Sequence, residues 1–211
     1  MDLSTITSDT RLQSRRQIYS QLDDGQIDSA ITDAEQAVAK WCEIGGSDSV
    51  ECISALSDLG RAVSAAGDHA RALTLTEKAR RLTLDLFGNN HPDSTFSMLA
   101  LAACHLALCN FDQAADWISK GLEDIDRLHL QGSVLHARLL GRLSSLQLER
   151  GELQTAEAAA VEALVIQRRH FKCLCVGGLQ QLAEILRAAG KTKLAESIDR
   201  KLQRLTLGRP T

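Results

Sequence analysis

The most constraining feature of this chain is a helix-breaking residue that recurs at a nearly fixed interval, each time five residues before an alanine. The segments are GQIDSA (Gly25 to Ala30), GDHARA (Gly67 to Ala72), NFDQAA (Asn110 to Ala115), GELQTA (Gly151 to Ala156) and GKTKLA (Gly190 to Ala195). Successive alanines follow one another at nearly the same spacing throughout, from Ala30 to Ala72, Ala115, Ala156 and Ala195. Seven residues past each alanine come Ala37, Ala79, Leu122, Ala163 and Leu202. Seven residues before each breaker come Ile18, Gly60, Ala103, Ser144 and Ala183. Registers that coincide in this way mark a structural repeat, and a repeat dictates the fold of everything between its marks.

Glycine or asparagine at each mark supplies the left-handed residue that ends a helix. Behind each mark, apolar residues recur at three- and four-residue steps, as in Ala72, Leu75, Ala79, Leu82 and Leu86 or Ala195, Ile198, Leu202 and Leu205. Those steps trace one face of an α-helix. A similar stripe precedes the marks, as in Leu56, Leu59 and Val63. Composition agrees: 33 leucines and 27 alanines among 211 residues, with two prolines and seven aromatics, favour helix and leave little for sheets. The expectation is an all-α chain of five helix–turn–helix units, roughly residues 8–46, 48–89, 93–130, 133–171 and 174–207.

The unit Leu56-x-x-Leu59-Gly60-x-x-Val63-x-x-x-Gly67-x-x-x-x-Ala72-x-x-x-Thr76-x-x-Ala79 resembles the tetratricopeptide repeat (TPR). The long period and the linker FGNNHPDS (Phe87 to Ser94) resemble the extended repeats of the kinesin-light-chain type. In that linker Asp93 or Ser94 is expected to cap the following helix, and Asp48 with Glu51 to form a capping box in the equivalent place. The resemblance implies a single domain, a right-handed α-solenoid, whose concave face binds a peptide or helix of a partner protein.

By the same register, the groove positions are Arg15, Arg16 and Tyr19 in the first unit and Ser57, Asp58 and Arg61 in the second. The third unit offers Ala100, Leu101, Cys104 and Leu108. The fourth offers Arg138, Arg142 and Ser145, and the fifth Gln180, Gln181 and Glu184. Guanidinium groups grip carboxylates in bidentate fashion, so Arg15, Arg16, Arg61, Arg138 and Arg142 point to an acidic segment or a C-terminal carboxylate. The same arginines can instead be solvated or paired with Asp23, Asp58 and Glu149. Arg138 and Arg142 stand where chaperone-binding TPRs carry basic residues, but Ser57 and Leu101 replace the asparagines of that clamp. The run Met98 to Cys109 is apolar on every side, which a helix shows when it is covered all round. Its cover is expected to be an apolar anchor of a ligand, the chain's own N-terminal arm, or a second protomer. The competing expectation is therefore a self-associating structural module.

The chemical motifs of enzymes are missing. There is no phosphate-cradling glycine loop, no H-E-x-x-H and no nucleophile elbow. Cys173-x-Cys175 near His170 lacks a second ligand pair at zinc spacing, and Cys104 and Cys109 point to different faces of their helix. The expectation is a non-enzymatic adaptor without metal or cofactor. A net charge of −3 excludes a globally basic nucleic-acid binder. The start MDLSTITSDTR does not read as a signal peptide, and no run is long enough to span a bilayer. A cytoplasmic chain with its six cysteines reduced is expected.

Overall fold

The computed structural model describes the backbone of residues 3–171 and 176–207, with side chains from residue 10 to 171 and 176 to 205. Among the described residues there are ten α-helices and no strand. They are α1 (Leu3–Asp23), α2 (Ile27–Gly45), α3 (Val50–Ala65), α4 (His69–Phe87) and α5 (Pro92–Ala107). There follow α6 (Phe111–Arg127), α7 (Val134–Glu149), α8 (Leu153–Phe171), α9 (Val176–Ala188) and α10 (Thr192–Leu207). The chain divides into two compact units, residues 1–109 and 110–211.

The helices keep time more strictly than the alanines suggested. Val50, Pro92, Val134 and Val176 open α3, α5, α7 and α9 at one constant interval. Ile27, His69, Phe111 and Leu153 open α2, α4, α6 and α8 at that same interval. Only α10 comes early, because α9 has 13 residues where α3, α5 and α7 have 16.

The third mark is displaced by one residue from its expected place. Cys109, not Asn110, takes the left-handed conformation, at φ 58°, where Gly25, Gly67, Gly151 and Gly190 take theirs. Asn110 is the N-cap residue of α6, at φ −85°. The register positions of that unit are therefore Ala102, Ala114 and Gly121, all small and buried, rather than Ala103, Ala115 and Leu122. With that shift, Ala30, Ala72, Ala114 and Ala156 are evenly spaced and all fully buried. The close approach is physical: a Cβ added to Gly121 would stand 2.8 Å from Leu139 Cδ2.

The helix starts also differ from expectation. Ser49 caps α3, its hydroxyl accepting from the Cys52 amide at 3.1 Å, in place of the Asp48–Glu51 box. His91 caps α5 through Nδ1, which accepts from the Asp93 amide at 3.2 Å, in place of Asp93 or Ser94. Pro92 fits the first turn behind it because its missing N–H would have had no partner there. His91 also stacks on Phe87 at 4.4 Å between ring centroids. Ser133 caps α7 by accepting from His136 at 3.1 Å, so the three caps keep the same period as the helices they open.

In the first unit, α1 packs on α2 and α3, α3 on α4, and α4 on α5. Its core joins Ile18, Ala30, Ala34, Leu59, Ala62, Val63, Ala72 and Cys104. In the second unit, α6 packs on α7, α7 on α8, α8 on α9, and α9 on α10. Ala156, Ala160 and Ile185 form one of its clusters. In both units alanine brings backbones together while branched side chains fill the gaps, the division of labour that close packing requires.

Two of the six cysteines are not reduced. Cys42 on α2 and Cys52 on α3 form a disulfide, their Cα atoms 4.7 Å apart. The α2–α3 turn folds back on itself, which brings residues ten apart in sequence within bonding distance. Cys104, buried, and Cys109, exposed, take no part in a disulfide. Cys173 and Cys175 lie outside the described residues.

Candidate partner-binding site

Within the first unit, α1, α3, α4 and α5 frame a cavity of about 330 Å³. Arg11 and Arg15 come from α1, Val50, Ile53, Ser54 and Ser57 from α3, and Asp93, Phe96, Ser97 and Ala100 from α5. Thr76, Ala79, Thr83 and Phe87 of α4 complete the lining. Helix period explains the lineup: Ile53 and Ser57, or Phe96 and Ala100, are four residues apart and share a face. The wall is apolar but studded with hydroxyls. Several of these are satisfied locally: Ser57 donates to Ile53 O at 2.9 Å, and Thr76 and Thr83 donate to Ala72 O and Ala79 O at 2.8 Å. Arg80 reaches over from α4 to Ser97 Oγ at 2.9 Å and Ser94 O at 3.1 Å.

Next to the cavity, α1 and α3 meet in a polar node. Tyr19 donates to Asp58 Oδ1 at 2.7 Å, and Arg15 Nε lies 3.3 Å from the same oxygen. Arg15 also donates to the Tyr19 hydroxyl at 3.2 Å. The Arg61 guanidinium covers the Tyr19 ring at 4.9 Å from its centroid, and that of Arg15 lies at 5.5 Å. Burial pushes the Asp58 carboxyl above the usual carboxylate range, against the pull of Arg15, the Tyr19 hydrogen bond and Arg61. Burial, then the Asp58 charge, raises the Tyr19 phenol. Arg15 is held above its ordinary value: burial works against its charge, but Asp58 and Tyr19 outweigh it. Further along, Arg11 pairs with Glu51 at 3.3 Å.

The structure thus gathers Arg15, Tyr19, Asp58 and Arg61 into one contact network, with Ser57 and Ala100 in the adjoining cavity wall. Arg16 is exposed on α1. Leu101 and Cys104 are buried, at 2% and 5% exposure, and neither they nor Leu108 line the cavity. The one-residue shift of the third mark explains this. Counted from Cys109, Leu101 and Cys104 correspond to Leu59 and Ala62, which are core positions. Cys104 packs in that core, with its sulfur 3.6 Å from Thr76 Oγ1. The apolar run is therefore largely covered, its buried members being Met98, Leu99, Leu101, Ala102, Cys104 and His105.

In the second unit, Arg138 and Arg142 are exposed on α7. Gln181 of α9 donates to Gly141 O at 3.0 Å and to Ser145 Oγ at 2.7 Å, tying its helix to α7. Sequence reasoning missed Arg11, Phe87, Asp93 and Phe96 as lining residues. A strictly constant register could have found part of the set, since Ser54 and Phe96 occupy equivalent places. Among the described residues no cluster of three or more His, Cys, Asp or Glu could hold a metal ion. None of the described helices is long and apolar enough to cross a membrane.

Paired antiparallel helices at a fixed interval, with small residues at the close contacts, define a tetratricopeptide-repeat protein. The chain belongs to the family of MalT-like TPR regions, whose model matches residues 15–210. Its fold is similar to that of a Podosopora anserina protein of nearly identical TPR-like repeats, described as kinesin light chain. That match has a TM-score of 0.63 at 19% identity, covering 93% of this chain and 96% of the other. BtubC (BKLC) from P. vanneervenii is similar with a TM-score of 0.65 at 18% identity, over 98% and 92% of the two chains. MamA from Desulfovibrio magneticus RS-1 is similar with a TM-score of 0.54 at 16% identity, over 96% and 98%. Among curated proteins none gives a significant match. The expectation of an all-α TPR solenoid with kinesin-light-chain-like repeats holds.

Proposed function

We propose that this protein is a non-enzymatic interaction module that holds an extended segment of a partner protein against α1, α3 and α5. The observation that carries the reading is the 330 Å³ cavity those helices frame with α4, which has room for a bulky apolar side chain. Helical repeats present such surfaces because each unit commits its residues to stacking and leaves one face to the ligand. The match to a MalT-like TPR region over residues 15–210 supports the same reading.

The charges around the cavity set its ligand chemistry. Arg11 and Arg15 are held by Glu51 and Asp58, so the cavity contributes an apolar anchor site more than a cationic one. Within the second unit taken by itself, exposed Arg138 and Arg142 of α7 are proposed as a separate surface that favours acidic partner segments. The proposed setting is the cytosol.

Affinity purification with cross-linking and mass spectrometry tests this directly. A reproducible partner should cross-link to α1, α3 or α5 and be lost from Ser57→Trp and Ala100→Trp variants that keep their helix content. A partner retained by both variants and cross-linked only elsewhere would defeat the cavity assignment. The competing reading, a module whose groove is filled by its own N-terminus or by a second copy, is decided by sedimentation velocity at several concentrations.

A further inference from the structure

We infer that the Cys42–Cys52 disulfide is a redox-sensitive tether that holds one wall of the cavity in place. The inference rests on the groove reading above for its consequence on binding, though not for the tether itself. Cys52 lies in the first turn of α3, where its amide is bonded to the capping Ser49. Val50, Ile53 and Ser54 of the same stretch line the cavity, and Glu51 receives Arg11 of α1. The bond therefore anchors the turn that carries the cavity's α3 wall and its ion pair to α1.

The next two junctions of this kind manage without a crosslink. The places equivalent to Cys42 and Cys52 are Leu84 and Ser94 in the next junction, and Asp126 and His136 in the one after. Ser94 instead donates to Gly88 O, and His136 Nδ1 accepts from the Gly132 amide at 3.2 Å. In the first junction Ser49 donates to Gly46 O at 2.9 Å, a tie confined to the loop itself. That loop passes through Gly45 and Gly46, the latter at φ 89°. The disulfide adds the covalent link that fixes the start of α3 to the end of α2.

The two cysteines differ in exposure: Cys52 is 1% exposed and Cys42 is half-buried. A reducing dithiol would attack as its thiolate at Cys42 Sγ. The S–S bond breaks, and the Cys52 sulfur leaves as a thiolate and takes up a proton. The second thiol of the reductant then displaces Cys42, which also gains a proton, and the reductant departs as its own disulfide. Two electrons pass from reductant to protein. A disulfide in a reducing compartment serves sensing or catalysis more often than permanent bracing.

The test uses the full chain with dithiothreitol as the reductant. Without reductant, alkylation and peptide mass spectrometry should recover Cys42 and Cys52 as one crosslinked pair. After reduction both should be alkylated, and amide exchange over residues 47–57 should accelerate on the order of tenfold or more. Exchange in α7 to α9 should not change. A Cys42→Ser/Cys52→Ser variant should exchange like the reduced protein and show no further response to dithiothreitol; circular dichroism checks that it is folded. Recovery of both cysteines as free thiols from unreduced protein would overturn the inference, as would unchanged exchange over 47–57 on reduction. If the tether behaves as described, a captured partner should bind more weakly to the reduced protein. Equal binding in both states would overturn the regulatory role while leaving the groove reading intact. A Trp-blocked cavity that still binds the partner defeats the groove reading and leaves the tether standing.

Discussion

Tyr19 on α1 gives its phenolic proton to Asp58 on α3 across 2.7 Å, and Arg15 stands 3.3 Å from the same carboxylate oxygen. Asp58 is nearly closed off from water, at 5% exposure, so these partners are what make its charge tolerable. Tyr19→Phe keeps the ring on which Arg61 stacks but removes the hydrogen bond to a buried charge. It should cost about 1.5–3 kcal/mol in urea unfolding. A loss below the error of the measurement would mean that water replaces the phenol.

The same node gives a pH dependence whose sign is fixed. Burial raises the folded Asp58 carboxyl above its unfolded value, so the folded chain holds that proton more tightly. Its contribution to stability is present in full below the unfolded value, about pH 4, and is lost as pH rises through the folded one. Asp58→Asn preserves an acceptor for Tyr19 and removes this titration. Urea midpoints from about pH 4 to about pH 7 should fall more steeply for the parent than for Asp58→Asn. Parallel curves would contradict the raised carboxyl.

The register of the third mark can be read out by two neighbouring substitutions. Ala114→Leu must overfill a site with 0% exposure and should cost about 1–3 kcal/mol or more in thermal or urea unfolding. Ala115→Leu, on a half-exposed position, should stay within about 0.5 kcal/mol of the parent. The opposite ranking would restore Asn110 as the mark.

Cys109 holds a left-handed conformation that a side chain disfavours by roughly 1–2 kcal/mol. Cys109→Gly relieves that strain while adding freedom to the unfolded chain. The net should be a gain of about 0.5–1 kcal/mol, visible as a higher melting temperature. A lower one would show that the cysteine side chain contributes packing the glycine cannot replace.

Charge reversal at Arg138 and Arg142 on α7 should weaken capture of an acidic partner, with the larger difference at low salt where screening is least. Titration of the double variant by fluorescence anisotropy at two ionic strengths reads both effects. Unchanged affinity and unchanged salt slope would remove these arginines from the binding surface.

Much of the fold was legible because a repeat writes the same physical demand several times. Gly25, Gly67, Gly151 and Gly190 each stop a helix, and four repetitions outweigh any single ambiguous residue. The slip occurred where the chain offers no contrast. Ala102 beside Ala103 and Ala114 beside Ala115 give two registers equal merit by size and hydropathy. Asn110 has the better intrinsic claim to a left-handed turn than Cys109. The tertiary period overrode that preference, and Leu101 and Cys104 moved from the expected groove into the core with it. The site was less legible for a different reason. Arg15 and Arg61 announce positive charge in the sequence, but only the approach of α1 to α3 shows that charge engaged with Asp58 and Tyr19. The disulfide was hidden because a ten-residue separation gives no hint that a turn closes it.

The uniform spacing of helix starts, caps and buried alanines has a genetic consequence. Through most of the chain, a segment one period long contains two helix starts and one of the evenly spaced buried alanines wherever it is cut, even within a helix. Duplication of such a segment inserts a complete unit, and its loss removes one, without creating a new kind of junction. The shortened α9 is where that freedom stops, because beyond it the phase no longer matches.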